Sequence, residues 1–122
     1  MADYAAEELQ EARDALSDAA VLRDGGTDKA VVNRLYYACF HAAQAVLYAK
    51  GFEPESHQAV ISLFGQEVVL EGEASGADGR FLNELRDYRE QADYDHDPIE
   101  ANIEELFERA EEFVADMEAL CG

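Results

Sequence analysis

A chain of 122 residues that is 48% apolar can bury roughly two thirds of its unfolded surface as one domain. Its 28 acidic residues against 9 basic give a net charge of -19, so the basic footprint of an ordinary nucleic-acid binder is missing. No run of 18 apolar residues occurs and no basic segment follows Met1, which predicts neither a membrane span nor a signal peptide and points to the cytoplasm.

The chain carries amphipathic segments and no alternating strand pattern. The first helix is expected over about 3–23, with Leu9, Ala12, Leu16 and Ala20 on one face. Asp24-Gly25-Gly26 breaks it, and Thr27 supplies an N-cap for a second helix over about 28–50. That helix is apolar nearly all round (Val31, Leu35, Tyr36, Tyr37, Phe40, Ala43, Val46, Leu47), the mark of a central element, and Gly51 ends it. Pro54 and Ser56 introduce a third helix over about 57–70 with Val60, Ile61, Phe64 and Val68 inward. Residues 71–79 read as a linker. A fourth helix over about 80–95 buries Phe81, Leu85, Tyr88 and Ala92. Pro98 marks a break before the last helix, about 98–119. There Ile99, Ile103, Leu106, Ala110, Phe113, Met117 and Leu120 form a stripe suited to a neighbouring helix or a second subunit. The expectation is an all-α protein, a compact up-and-down bundle of four to five helices. Cys39, inside an apolar helical pattern, and Cys121, next to last, read as free thiols.

The acids are spread along every helix, which makes a solvated acidic shell and not a disordered tail. Such a shell suits molar salt, where the Debye length is about 3 Å and self-repulsion is screened. The rival reading is a surface for a basic partner. At molar salt long-range steering is screened for either sign, so the charge neither supports nor excludes an RNA substrate.

The candidate chemistry lies on the fourth helix. Six residues separate Arg89 from His96. A helix completes about two turns over that spacing, which puts both side chains on one face about 10 Å apart. The row 82, 86, 89, 93, 96 flanks the buried stripe, so Arg86, Arg89, Asp93 and His96 share that flank. One reading pairs the arginines with Glu90 and Asp93 and leaves His96 to close a helix C-terminus. The other is RNA cleavage through the ribose 2′-hydroxyl. Histidine, with an ordinary pKa of about 6.5, can move the proton, and arginine's planar fork can hold the charged phosphate. Arg86 and Tyr94 would support the pair, and a Tyr37 hydroxyl would reach the Arg89 region. Asp93, Asp95 and Asp97 around His96 predict a raised histidine pKa. Together with Glu100 these groups also form a carboxylate–imidazole cluster, but a di-iron bundle needs paired Glu-x-x-His motifs and only one Asp-x-x-His is present. No metal or other cofactor is expected. His41 reads as a hydrogen-bonded, semi-buried residue and His57 as part of its own loop. The chain has no glycine-rich phosphate loop, no Gly-x-Ser-x-Gly and no paired-cysteine zinc pattern.

Three stretches together resemble one family. Asn33-Arg34-Leu35-Tyr36-Tyr37-Ala38-Cys39-Phe40 resembles the R-x-Y-Y-A-x-F signature of HEPN domains in the UPF0332-like group. Ser56-His57 through Phe64 is similar to that group's K-H-s-g-v-i-x-x-F stretch, and Arg89 through Tyr94 to its R-x-x-A-D-Y element. The resemblance spans about residues 5–118. It implies a small, dimerising all-α bundle, with many relatives acting as metal-independent endoribonucleases marked by an arginine followed after four to six residues by a histidine. Carried onto this chain, those are Arg89 and His96, in a composite site with both subunits' pairs facing one cleft. The resemblance further implies a nucleotidyltransferase antitoxin as partner. Glu90 departs from the short polar residue that usually follows the arginine, and Pro98 lies close behind His96. A non-catalytic nucleotide- or partner-binding module is therefore the alternative.

Overall fold

The structure, a computed structural model, describes residues 3–94 and 98–122. It is an all-α bundle of five helices with no strand among the described residues. They are α1 (Tyr4–Gly25), α2 (Asp28–Ala49), α3 (His57–Phe64), α4 (Gly76–Tyr94) and α5 (Ile103–Leu120), and α3 runs on through a π-helical turn at Gly65–Val69.

Short polar side chains start each helix by accepting an otherwise orphaned backbone N–H. Asp3 accepts from Ala6, Thr27 from Ala30, Ser56 from Ala59, Ser75 from Asp78 and Asn102 from Glu105, all at 3.0–3.1 Å. Each such cap is worth about 0.5–2 kcal/mol over alanine. At the end of α2 the Gly51 N–H donates to the Tyr48 carbonyl and the Phe52 N–H to that of Leu47. This Schellman closure needs φ of +93° at Gly51, a left-handed value that costs glycine little.

Two boundaries differ from expectation. Ser75 caps α4, so 76–79 are helical and the linker shortens to 70–75. The last helix starts at Ile103, because the Asn102 side chain captures the Glu105 N–H and ends the extended approach from Pro98. Ile99 is nonetheless buried, as a loop residue packed ahead of the helix.

α2 is the central element, with twelve buried residues and packing against α1, α3, α4 and α5. Against it α1 presents Ala12, Ala15 and Ala19, small enough for the two helices to lie close. The buried face of α1 is therefore turned slightly from the one expected, and Leu9, Leu16 and Ala20 lie at its edge, partly buried. The α5 stripe (Leu106, Ala110, Phe113, Met117, with Phe107 and Val114) is buried, with α5 packed on α2 inside the chain. Along α4 burial fades toward the C-terminal end. Phe81, Leu82 and Leu85 are buried, Tyr88 and Ala92 only partly. Leu82, expected on the flank, belongs to the core, and the half-buried Arg86 and Arg89 lie next to it. The free Cys39 is fully buried, and burial pushes its thiol well above the ordinary value, so it is no nucleophile at neutral pH.

Candidate functional site

Where α4 leaves the core, its row of side chains meets the aromatic face of α2. Arg89 is 27% exposed, and its guanidinium carbon stands 5.3 Å from the ring centroids of both Tyr36 and Tyr37. A cation over two ring faces is attracted by their quadrupoles without any hydrogen bond being used up. The nearest anion is Asp93, with Oδ2 3.8 Å from an Arg89 Nη, a long i,i+4 contact worth about 0.3–0.5 kcal/mol. Nε of Arg89 is buried without a hydrogen-bond partner, the one such side-chain atom among the described residues. Here a fixed positive charge is positioned by rings and left short of acceptors. That is the arrangement an incoming phosphate oxygen can complete.

Tyr36 is the hub of this face. Its ring is fully buried, and its hydroxyl lies 3.2 Å from Nδ1 of His57, the first residue of α3. Burial raises the Tyr36 pKa, with the Arg89 charge opposing, so the phenol stays neutral. His57 also stacks on Phe40 with ring centroids 4.2 Å apart. Desolvation of the ring first, then the charges of Arg89 and His41, lower the His57 pKa from 6.5, so the imidazole is neutral at pH 7. Two cations lie over the Tyr37 ring, Arg89 at 5.3 Å and Arg34 at 5.0 Å. Asn33 Oδ1 accepts from Arg34 Nε and Nη2 and orients it. One turn further along α2, His41 Nδ1 lies 2.5 Å from Glu8 Oε2 of α1.

The expected residues fall into four groups. Arg89, Asp93 and Tyr37 are brought together. Arg86 is close by but differently engaged, with Nη1 3.4 Å from Gln58 Oε1 and Nη2 3.5 Å from Asp87. Tyr94, the last residue of α4, is 87% exposed. His96 lies outside the described residues with Asp95 and Asp97, and with it the expectations of a raised histidine pKa and of a carboxylate–imidazole cluster. Among the described residues no group of three or more His, Cys, Asp or Glu side chains is placed to hold a metal.

Reading the residues alone missed Tyr36 as a polar hub and His57 as a neighbour of the arginine. Part of the signal was available. Tyr36 and Phe40 are four apart on a helix, hence on one face, and a capped helix start carrying a histidine had to pack against something.

Residues 5–120 match the HEPN domain family. A UPF0332 protein of Thermotoga maritima is 33% identical over 111 residues, covering 89% of this chain and 84% of its own. A protein of Methanocaldococcus jannaschii named "Putative toxin MJ0605" is 37% identical over 107 residues, covering 87% of this chain and 80% of its own. A second from that organism, named "Putative toxin MJ0142", is 35% identical over 80 residues, or 66% of this chain and 51% of its own. No helix among the described residues is long and apolar enough to cross a membrane.

Proposed function

The chain belongs to the HEPN domain family, and from that premise we propose that it is the toxin-like member of a toxin–antitoxin pair, a metal-independent endoribonuclease. It acts as a cytoplasmic homodimer, with a nucleotidyltransferase as antitoxin. Arg89 binds the scissile phosphate and stabilises the charge that builds on it, and His96 transfers a proton. Arg86, Asp93, Tyr94 and Tyr37 support them. The acidic shell adapts the protein to molar salt, where an RNA backbone is not repelled from a surface of net charge -19.

The observation that carries this reading is the state of Arg89. It is partly desolvated, fixed by two tyrosine rings and paired only loosely. Donors held ready where charge develops are usually the largest single contribution to catalysis, about 10²–10³-fold for one such donor. A second reading has its own support in Glu90 and Asp93, two carboxylates beside the arginine that weaken its field at a phosphate. On that reading the module binds a nucleotide or the partner without cutting.

RNA degradation in molar KCl, with and without EDTA, separates the two. The expected result is cleavage by the wild type that EDTA leaves unchanged and that His96→Ala lowers about 10²–10⁴-fold, the usual range for a lost proton-transfer group. Equal cleavage by both proteins would remove His96 from the mechanism. None by either would leave the binding module.

A further inference from the structure

The geometry points to His57 as the base of this site, an assignment that rests on the ribonuclease reading and adds to it a residue from α3. Three observations place it there. The Tyr36 hydroxyl reaches His57 Nδ1 at 3.2 Å while the ring of the same tyrosine lies under Arg89, so one side chain fixes both groups. A second link ties the same two helices, because Arg86 of α4 reaches Gln58, the residue after His57. The ring is also open to a substrate. His57 is exposed, and beside it lies a cavity of about 190 Å³ lined by Phe40, Gln44, Pro54, Glu55 and Val60 among others.

In the step this implies, His57 Nδ1–H donates to the Tyr36 oxygen, which leaves the Nε2 lone pair facing outward. The ribose 2′-hydroxyl gives its proton to Nε2 as its oxygen forms a bond to phosphorus. The bond from phosphorus to the 5′ oxygen breaks, and that oxygen leaves with a proton taken from water. The products are a 2′,3′-cyclic phosphate and a free 5′-hydroxyl. His57 then returns its proton to the hydroxide left in the water, which restores the starting state. Arg89 holds the phosphate throughout. The groups facing His57 suit the role, since the Arg89 cation and His41 disfavour its protonation, Tyr36 is neutral, and Glu55 alone adds negative charge on the cavity side. A base that its surroundings keep unprotonated is what such a transfer requires at neutral pH.

The test compares the full chain with His57→Gln and His57→Ala in molar KCl with EDTA. It uses an RNA oligonucleotide as substrate and its 2′-deoxy counterpart as an uncleavable ligand. His57→Gln is expected to fold, to bind the deoxy-oligonucleotide as the wild type does, and to cleave at least ~100-fold more slowly. The loss should fall in kcat and not in KM. The limb of the wild-type kcat/KM profile that rises with pH below 6.5 should disappear in the variant. A merely structural role would move melting or binding and leave that limb in place. Cleavage by His57→Gln at the wild-type rate overturns the assignment of His57 and leaves the ribonuclease reading standing. A wild type that does not cut RNA overturns that reading, and this base with it.

Discussion

Two arginines, Arg89 of α4 and Arg109 of α5, sit over aromatic rings, and they differ in everything else. Arg109 of α5 lies 4.3 Å above Phe81 and reaches both carboxylate oxygens of Glu84, at 3.1 and 3.5 Å. Its charge is met by a fork-to-fork partner, so it joins α5 to α4 and has little left to offer. Arg89 lies over Tyr36 and Tyr37, has one long contact to Asp93, and keeps a buried nitrogen without an acceptor. On the proposed function, the contrast separates a structural cation from a functional one without a ligand. The first has its hydrogen bonds completed by its own chain, and the second is oriented but left incomplete. Arg23, over Phe107 at 4.3 Å, also has a single contact, to Glu104 at 3.5 Å, but leaves no buried nitrogen without an acceptor.

The sharpest way to break this comparison is to remove each cation in turn while keeping its apolar stem. Arg89→Met should lower RNA cleavage by about 10²–10³-fold and leave stability nearly unchanged, because the tyrosine rings stay packed. Arg109→Met should do the reverse, with cleavage at the wild-type rate and a stability loss of about 0.5–1 kcal/mol from the forked pair and its ring contact. Cleavage rates and urea unfolding, both in molar KCl, measure the two. Equal effects of the two variants on cleavage would mean that incomplete pairing does not mark the functional arginine.

Which of these features could be read in the chain follows from the range of the forces involved. Thr27, Ser56 and Gly51 act on backbone groups within a few residues, and each stands in the sequence at the position where it acts. The apolar periodicities of α2 and α5 were legible for the same reason. The start of α5 was not, because Pro98 is the louder signal while the Asn102 side chain, accepting from the Glu105 N–H, is what caps the helix. The π-helical turn after Phe64 carries no local signal. The site divides along the same line. Arg89 and Asp93 share a helix and could be paired by spacing. The contact of His57 with Tyr36 joins residues 21 apart through the packing of α3 on α2, and no periodicity within either helix states it.

A smaller effect sharpens the Arg89 side of the comparison. Tyr36→Phe keeps the ring beneath the guanidinium and removes only the hydroxyl that meets His57. The expected loss of stability is about 0.5–1.5 kcal/mol, one hydrogen bond, with the fold retained. If the tyrosine's task is to orient the histidine, cleavage falls about fivefold as well, which is about 1 kcal/mol in the barrier. An unchanged rate would reduce Tyr36 to a platform for Arg89.

The smallest effect probes whether the α4–α5 seam is satisfied along its whole length. Arg109 and Glu84 complete each other at one point, but Asp78 in the first turn of α4 faces Asp116 and Glu112. Burial first, and then Asp116, raise the Asp78 pKa above 3.8, against a Ser75 hydrogen bond that lowers it. The folded state therefore holds this proton more tightly than the unfolded chain does. The penalty is present in full at neutral pH, shrinks as pH falls through the folded pKa, and is gone below 3.8. Asp78→Asn can keep the cap with Ser75 and lose the charge. It should be more stable than the wild type at pH 7 by about 0.3 kcal/mol, given the exposure of the site, with the advantage vanishing on acidification. Because burial outranks the neighbouring charges as the cause, most of the advantage should persist between 0.5 and 3 M KCl (about a 2.5-fold change in Debye length) when unfolding is followed at both salts. An advantage that disappears at high salt would make the seam a matter of like-charge repulsion, and would set it apart from the Arg109 end by sign of charge alone.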